Sequence, residues 1–271
     1  MNQLKFSDLG LADPIQLALK TRNHDTPTPI QQEAIPELLK GSDVLGIAQT
    51  GTGKTGAFAL PILHKLSKNQ PKDKRREPRA LILAPTRELA IQIGEEIAAY
   101  GQNLQLRHTV IFGGVKQNPQ VNALRRGIDI IVATPGRLLD LMSQGFIDLN
   151  GCAFLVLDEA DRMLDMGFVH DVRKIVSALP NKRQSLLFSA TMPKEIARLS
   201  GDMLNNPVRI EVTPQATPIE SITQNIYHVG AADKTKLLSS IMDDPSLSKV
   251  IVFTRTKHGA DKVARHLQQK G

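Results

Sequence analysis

Two stretches of this chain have the residue types and spacing for phosphate chemistry. The first is Ala48-Gln49-Thr50-Gly51-Thr52-Gly53-Lys54-Thr55, between the apolar run Val44-Leu45-Gly46-Ile47 and the helix-forming Gly56-Ala57-Phe58-Ala59-Leu60. A strand, a glycine-rich turn, Gly-Lys-Thr and a helix let backbone N–H groups curl around a polyphosphate. Lys54 would carry positive charge to the β- and γ-phosphates, and the Thr55 hydroxyl would be a ligand for Mg²⁺. The N-terminus of the following helix adds partial positive charge. Ala48 stands where the strict pattern has Gly. An ordinary glycine-rich turn is the plain alternative, and the strand before and helix after argue against it.

The second stretch is Phe154-Leu155-Val156-Leu157-Asp158-Glu159-Ala160-Asp161. An apolar strand ending in Asp places a carboxylate toward Mg²⁺, and Glu159 beside it can orient or deprotonate a water. Two acids at a strand end could be mere surface charge, but with Lys54 they read as the second half of one site. Ser189 and Thr191, after another apolar run, have hydroxyls that could hydrogen-bond Asp161. Their alternative is a local turn capping the helix that begins near Pro193.

Elements that would hold these residues alternate regularly. Strands are expected at 80–84, 109–112, 128–133, 154–157 and 185–188, with helices between them, among them 87–100, 135–142 and 169–179. Short continuous apolar strands alternating with helices predict an α/β fold, a parallel sheet covered by helices on both faces. In such sheets ligands bind beyond the carboxyl ends of the strands. Upstream, Thr28-Pro29-Ile30-Gln31 is a helix start with Thr at the cap, Pro at the first position and Gln at the third. The charged stretch 68–78 reads as a solvated loop. The pattern changes near Asn205-Asn206-Pro207, and 212–222 reads as a linker. Strand, helix, strand, helix are then expected at 223–229, 234–242, 249–254 and 258–269. The organisation expected is therefore a first domain over 1–211, a linker over 212–222 and the incomplete start of a second domain over 223–271.

The bulk numbers exclude some classes. The chain has 271 residues, 41% hydrophobic and 23% charged, which suits a water-soluble globular protein. No apolar run reaches the roughly 18 residues of a membrane span, and no secretory leader is evident, so a cytoplasmic location is expected. A lone Cys152 excludes an intrachain disulfide, and the seven His show no ligand spacing. The formal charge of +7 suits a polyanion. With 4% aromatics and no Trp, such a partner would be held by its backbone rather than by base stacking.

Asp158-Glu159-Ala160-Asp161 spells the signature of the DEAD-box ATP-dependent RNA helicases, and the rest of the chain resembles that family in order. Ala48 to Thr55 is similar to its phosphate loop, in which Ala at the first position is usual. Phe6, Leu9-Gly10-Leu11 and Pro27-Thr28-Pro29-Ile30-Gln31 resemble its adenine-reading element. Pro85-Thr86-Arg87, Gly113-Gly114 and Thr134-Pro135-Gly136-Arg137 resemble its RNA-contacting segments, and Ser189-Ala190-Thr191 the segment that couples ATP to RNA. Lys249 to Thr254 looks like the first motif of the second domain, and the compact N-terminus resembles the bacterial RhlE subgroup.

The resemblance implies two RecA-like P-loop NTPase domains, the second only begun. It implies ATP and Mg²⁺ held by residues 48–55, Phe6 and Gln31, with Lys54, Asp158 and Glu159 catalytic. Thr55 and Asp158 would serve the metal, Asp158 directly or through water. Asp161, Ser189 and Thr191 would link nucleotide to RNA. The RNA backbone would lie on Pro85, Thr86, Arg87, Gly113, Gly114, Thr134–Arg137 as numbered above, and Thr254, read without sequence preference. A monomer is expected that binds nucleotide but turns it over poorly without later motifs. The alternative carried alongside is a non-catalytic ATP-dependent RNA clamp or assembly module.

Overall fold

The computed structural model describes residues 4–69, 77–212, 223 and 225–269. Most of the charged stretch at 68–78 and of the linker at 212–222 lies outside them. The chain divides into two units, Met1–Ala216 and Thr217–Gly271.

The first unit is built on seven strands: β1 (Val44–Ile47), β2 (Ala80–Leu83), β3 (His108–Ile111), β4 (Ile130–Ala133), β5 (Phe154–Leu157), β6 (Gln184–Ser189) and β7 (Val208–Glu211). They lie in the order β3-β4-β2-β5-β6-β1-β7, and every pairing is parallel. Central strands are buried on both faces, so they read as continuous apolar runs. In β2 all four residues are buried, with Ile82 packing into one core and Leu81 and Leu83 into the other. The first core includes α1 (Asp13–Thr21), α2 (Pro29–Lys40), α3 (Lys54–Lys68) and α4 (Arg87–Tyr100). The opposite core includes α5 (Asn118–Arg125), α6 (Pro135–Ser143), α7 (Ala160–Asp165), α8 (Val169–Ser177) and α9 (Lys194–Met203). The sequence pattern did not mark β7. Only Ile210 in it is buried, as befits an edge strand, and its Val-Arg-Ile-Glu alternates apolar with charged residues instead of forming an apolar run.

Buried acids tie the amino ends of the strands. The Asp43 carboxylate accepts from Ser185 N–H (2.8 Å) and Asn205 N–H (2.7 Å), joining β1, β6 and the turn before β7. Asp129, fully buried, pairs with Arg79 at 2.7 Å.

In the second unit α10 (Lys234–Met242) and α11 (Lys257–Gln268) form where helices are expected. The strands expected at 223–229 and 249–254 do not form among the described residues: 225–230 and 249–254 belong to no helix and pair with no neighbouring strand. Ile251 and Phe253 are 81% and 91% exposed. A strand needs a hydrogen-bonded neighbour as well as an apolar side-chain pattern, and only the second is present here.

Candidate functional site

The sheet order gathers the motifs. At the carboxyl ends of β5, β6 and β1, which are adjacent, stand Asp158-Glu159, Ser189 to Thr191 and the glycine-rich loop. At the ends of β3, β4 and β2, also adjacent, stand Gly113-Gly114, Thr134 to Arg137 and Thr86-Arg87. Segments scattered over more than a hundred residues thus form two neighbouring groups along one edge.

The loop after β1 needs its glycines. Gly51 and Gly53 have φ of 81° and 92°, the left-handed region, and Gly53 is the N-cap of α3. A Cβ on Gly53 would stand 2.7 Å from both Gln31 Nε2 and Thr28 Oγ1. The Thr52 hydroxyl closes the loop on Gln49 O at 2.8 Å. Ala48 is buried in the core, so it supports the loop from below and does not line the cleft.

The Lys54 side chain is 6% exposed, and its Nζ, 3.8 Å from Asp158 Oδ1, has no hydrogen-bond partner. An ammonium out of water with no hydrogen bonds is costly unless an anion meets it. Burial pushes the Asp158 carboxyl up to about 6, against the pull of Lys54 and with repulsion from Glu159 adding to it. The Asp158 Oδ1 accepts the Glu159 N–H at 3.0 Å. Glu159 itself has φ 53°, uncommon for a residue with a side chain, and lines the same cleft.

These groups face a cleft of about 980 Å³. Phe6, Gln31, Thr50, Lys54, Thr55 and Asp158 line it as expected, while Gln49 and Thr52 do not. Further lining residues were not expected from the sequence: Arg22, His24 and the α4 residues Gln92, Glu96 and Tyr100. Arg22 pairs with Glu96 at 2.8 Å, and its guanidinium lies 4.9 Å above the Tyr100 ring. The signal for α4 was available, since Gln92, Glu96 and Tyr100 recur at i, i+4, i+8 and so share one helix face.

Gln31 is more engaged than a waiting base reader. Its Oε1 accepts from Thr28 N–H at 2.9 Å and its Nε2 donates to Gly53 O at 2.9 Å. The carbonyl half of the capping box is therefore made, and the amide joins α2 to the phosphate loop. One N–H and one lone pair remain for a ligand. Phe6 is 5% exposed, packed in the core while its surface also reaches the cleft.

Asp161 is bonded from both sides of the turn after β6. Its Oδ2 accepts from Thr191 N (2.9 Å) and Thr191 Oγ1 (2.8 Å), and its own N–H donates to Ser189 Oγ at 3.2 Å. Burial raises the Asp161 carboxyl, but the bonds from Thr191 and Ser189 outweigh it and hold the group below its ordinary range. The local turn forms as well, with Ser189 Oγ donating to Thr191 O at 2.8 Å.

On the β3-β4-β2 side the expected residues divide. Arg87, Gly114 and Gly136 are exposed. The Arg87 guanidinium stands against Gly114, where a Cβ would meet its Nη1 at 2.9 Å. Pro85, Pro135 and Thr134 are buried and shape the turns. The Thr86 hydroxyl caps α4 by accepting from Leu89 N–H at 3.2 Å. Arg137 is mostly enclosed: Nη2 donates to Val115 O at 3.2 Å and Nε faces Asp140 at 3.5 Å, so it braces the double-glycine turn. Thr254 belongs to the second unit, where its hydroxyl donates to Thr256 O at 2.9 Å.

Among the described residues no three His, Cys, Asp or Glu cluster to form a metal site from protein alone. Thr55 and Asp158 beside an unmet lysine do fit a small hard cation that shares its ligands with phosphate oxygens and water. No helix of the described residues is long and apolar enough to cross a membrane.

Residues 28–199 match the family model described as DEAD/DEAH box helicase. The chain is 41% identical over 267 residues to the ATP-dependent RNA helicase DeaD of Escherichia coli K12, covering 98% of this chain and 42% of that one. It is 40% identical over 265 residues to the DEAD-box ATP-dependent RNA helicase RhpA of Helicobacter pylori, covering 98% and 53%. Among solved structures it is similar to a DEAD box protein of the hyperthermophile Methanococcus jannaschii. The TM-score is 0.73 at 34% identity, over 98% of this chain and 70% of that chain. The chain spans about half the length of these curated relatives.

Proposed function

This chain belongs to the DEAD/DEAH box helicase family, and we propose on that footing that it binds ATP with Mg²⁺ beside an RNA backbone. The whole protein would couple ATP hydrolysis to local strand separation or to remodelling of RNA–protein complexes in the cytoplasm. One observation carries the nucleotide half: the buried Lys54 ammonium, without a hydrogen bond, in a cleft that Thr50, Gly51 and Gly53 of the loop also line. A polyphosphate supplies the anion this arrangement lacks.

Each residue then has a task. Lys54 and the N–H groups of 50–55 hold the β- and γ-phosphates. The remaining Gln31 N–H and lone pair meet the adenine edge, with Phe6 beside the base. Thr55 and Asp158 would hold Mg²⁺, which when bound neutralises phosphate charge and orients the terminal phosphoryl group. Glu159 orients the attacking water and accepts its proton. Arg87, Gly114, Gly136 and the N-termini of α4 and α6 take the sugar–phosphate chain without reading bases. Asp161, held by Thr191 and Ser189, carries the nucleotide state to the turn after β6.

The test is nucleotide binding followed by fluorescence of a labelled ADP. Lys54→Ala is expected to weaken Mg²⁺–nucleotide affinity at least about tenfold, the loss of a charge-assisted contact in a buried site. Unchanged affinity would refute the phosphate assignment. Glu159→Gln is expected to keep binding and stop phosphate release in the whole protein. A non-catalytic clamp would instead release no phosphate with Glu159 intact.

A further inference from the structure

We propose that Arg162 is a positioning residue for Glu159, holding that carboxylate in the orientation its work on water requires. The inference rests on the reading of Glu159 given above. Among the described residues Arg162 is the sole hydrogen-bond or ion-pair partner of the Glu159 carboxylate, with Nη1 3.3 Å from Oε2. The pair spans one helical turn at i, i+3, the spacing at which side chains meet. One carboxylate oxygen is therefore tethered and the other is left for a ligand or water in the cleft.

The surroundings make this tether firm at its base and independent of the core. Glu159 is the left-handed N-cap of the six-residue α7, and its side chain is 10% exposed. A carboxylate held by a strained backbone, with no other polar partner, depends on Arg162 for its direction. Arg162 follows Asp161, which Thr191 fixes, and precedes Met163, which is buried at 2% exposure. Both neighbours lock the backbone from which Arg162 reaches. The Arg162 side chain itself is 57% exposed and packs into no core, so its removal takes away little but the tether. An exposed ion pair is worth little to stability, but a fraction of an ångström at a reacting group is worth much to rate.

The test uses the whole protein with single-stranded RNA and two probes, Mg²⁺–ADP and Mg²⁺–ADP with aluminium fluoride, the second mimicking phosphoryl transfer to water. For Arg162→Ala we expect ADP affinity within twofold of wild type, affinity for the aluminium fluoride complex down about tenfold, and an unchanged thermal midpoint. Arg162→Lys, which keeps the charge, should recover most of that loss. An Ala variant that binds both probes like wild type overturns the inference, as does one that loses both equally, which would mark a general structural effect. Glu159→Gln separates the two layers. If it loses the aluminium fluoride complex while Arg162→Ala does not, only the tether fails. If Glu159→Gln keeps full affinity, or wild type does not distinguish the probes, the reading of Glu159 fails and the tether with it.

Discussion

Two apolar tetrapeptides in this chain, Ala80-Leu81-Ile82-Leu83 and Val250-Ile251-Val252-Phe253, have equal claims on strand structure, and they meet different fates. The first is β2, fully buried, in register with β4 on one side and β5 on the other. The second forms no strand, is unpaired among the described residues, and is exposed to 81% at Ile251 and 91% at Phe253. Side-chain pattern says that a segment can be a strand; neighbours with open N–H and C=O groups decide whether it is one. The helices show the complementary case. Both α10 and α11 form in the second unit because a helix satisfies its own backbone.

Aromatic truncation should show the largest contrast between the units. Phe188 in β6 is fully buried, with its ring centroid 5.6 Å from that of Phe58. Phe188→Ala is expected to cost about 3–5 kcal/mol in urea unfolding followed by far-ultraviolet circular dichroism. Phe253→Ala should stay within about 0.5 kcal/mol, since it leaves no cavity. A comparable loss at Phe253 would mean that this segment has a partner in solution and would break the comparison. Amide hydrogen exchange asks the same of the backbone: the amides of 81–83 should be protected, those of 251–253 not.

A smaller effect sharpens what makes β1 a central strand. Gly46 lies between β6 and β7, and a Cβ there would run into the Phe188 ring. Gly46→Ala should therefore destabilise by about 1–3 kcal/mol, the usual cost of overpacking, although alanine has the better strand propensity. Restoration by Gly46→Ala with Phe188→Leu, beyond the sum of the single changes, would locate the clash in that ring.

The same logic explains what could be read in advance. Buried parallel strands announce themselves as apolar runs, and contiguous motifs such as 48–55 and 158–161 carry their chemistry in local spacing. The edge strand β7, with one buried residue in four, has no such run. The Arg22–Glu96 pair joins residues 74 apart, and no local pattern links them. Gln31 was legible as a residue and, through the cap it shares with Thr28, in one of its partners; its second partner and those of Arg137 were not. Each side chain is taken up by a backbone carbonyl of a neighbouring turn, Gly53 O and Val115 O, which only packing brings near. The grouping of the motifs into two sets likewise depends on strand order, which chain order does not reveal.

The smallest expected effect concerns how the N-terminal helix is fastened to α3. His64 is buried, and its Nδ1 accepts the Ala12 N–H at 2.9 Å. Burial, with help from Lys68 and Lys65, holds this imidazole below its ordinary range. Protonating Nδ1 would set one N–H against another and put a third positive charge beside two lysines. Because the unfolded chain binds that proton more tightly, stability is complete above the ordinary imidazole pKa and is lost as pH falls through it toward the folded value. His64→Gln keeps an acceptor for Ala12 N–H and cannot titrate. The variant should match wild type near pH 8 within about 1 kcal/mol and lose less of its thermal midpoint between pH 7 and 5. His108, also lowered by burial, should leave a residual acid slope in both proteins. Equal slopes in the two would mean that the Ala12 bond does not depend on the charge of His64, and that the buried face of α1, with Ile15 and Leu19 in the core, suffices to hold it.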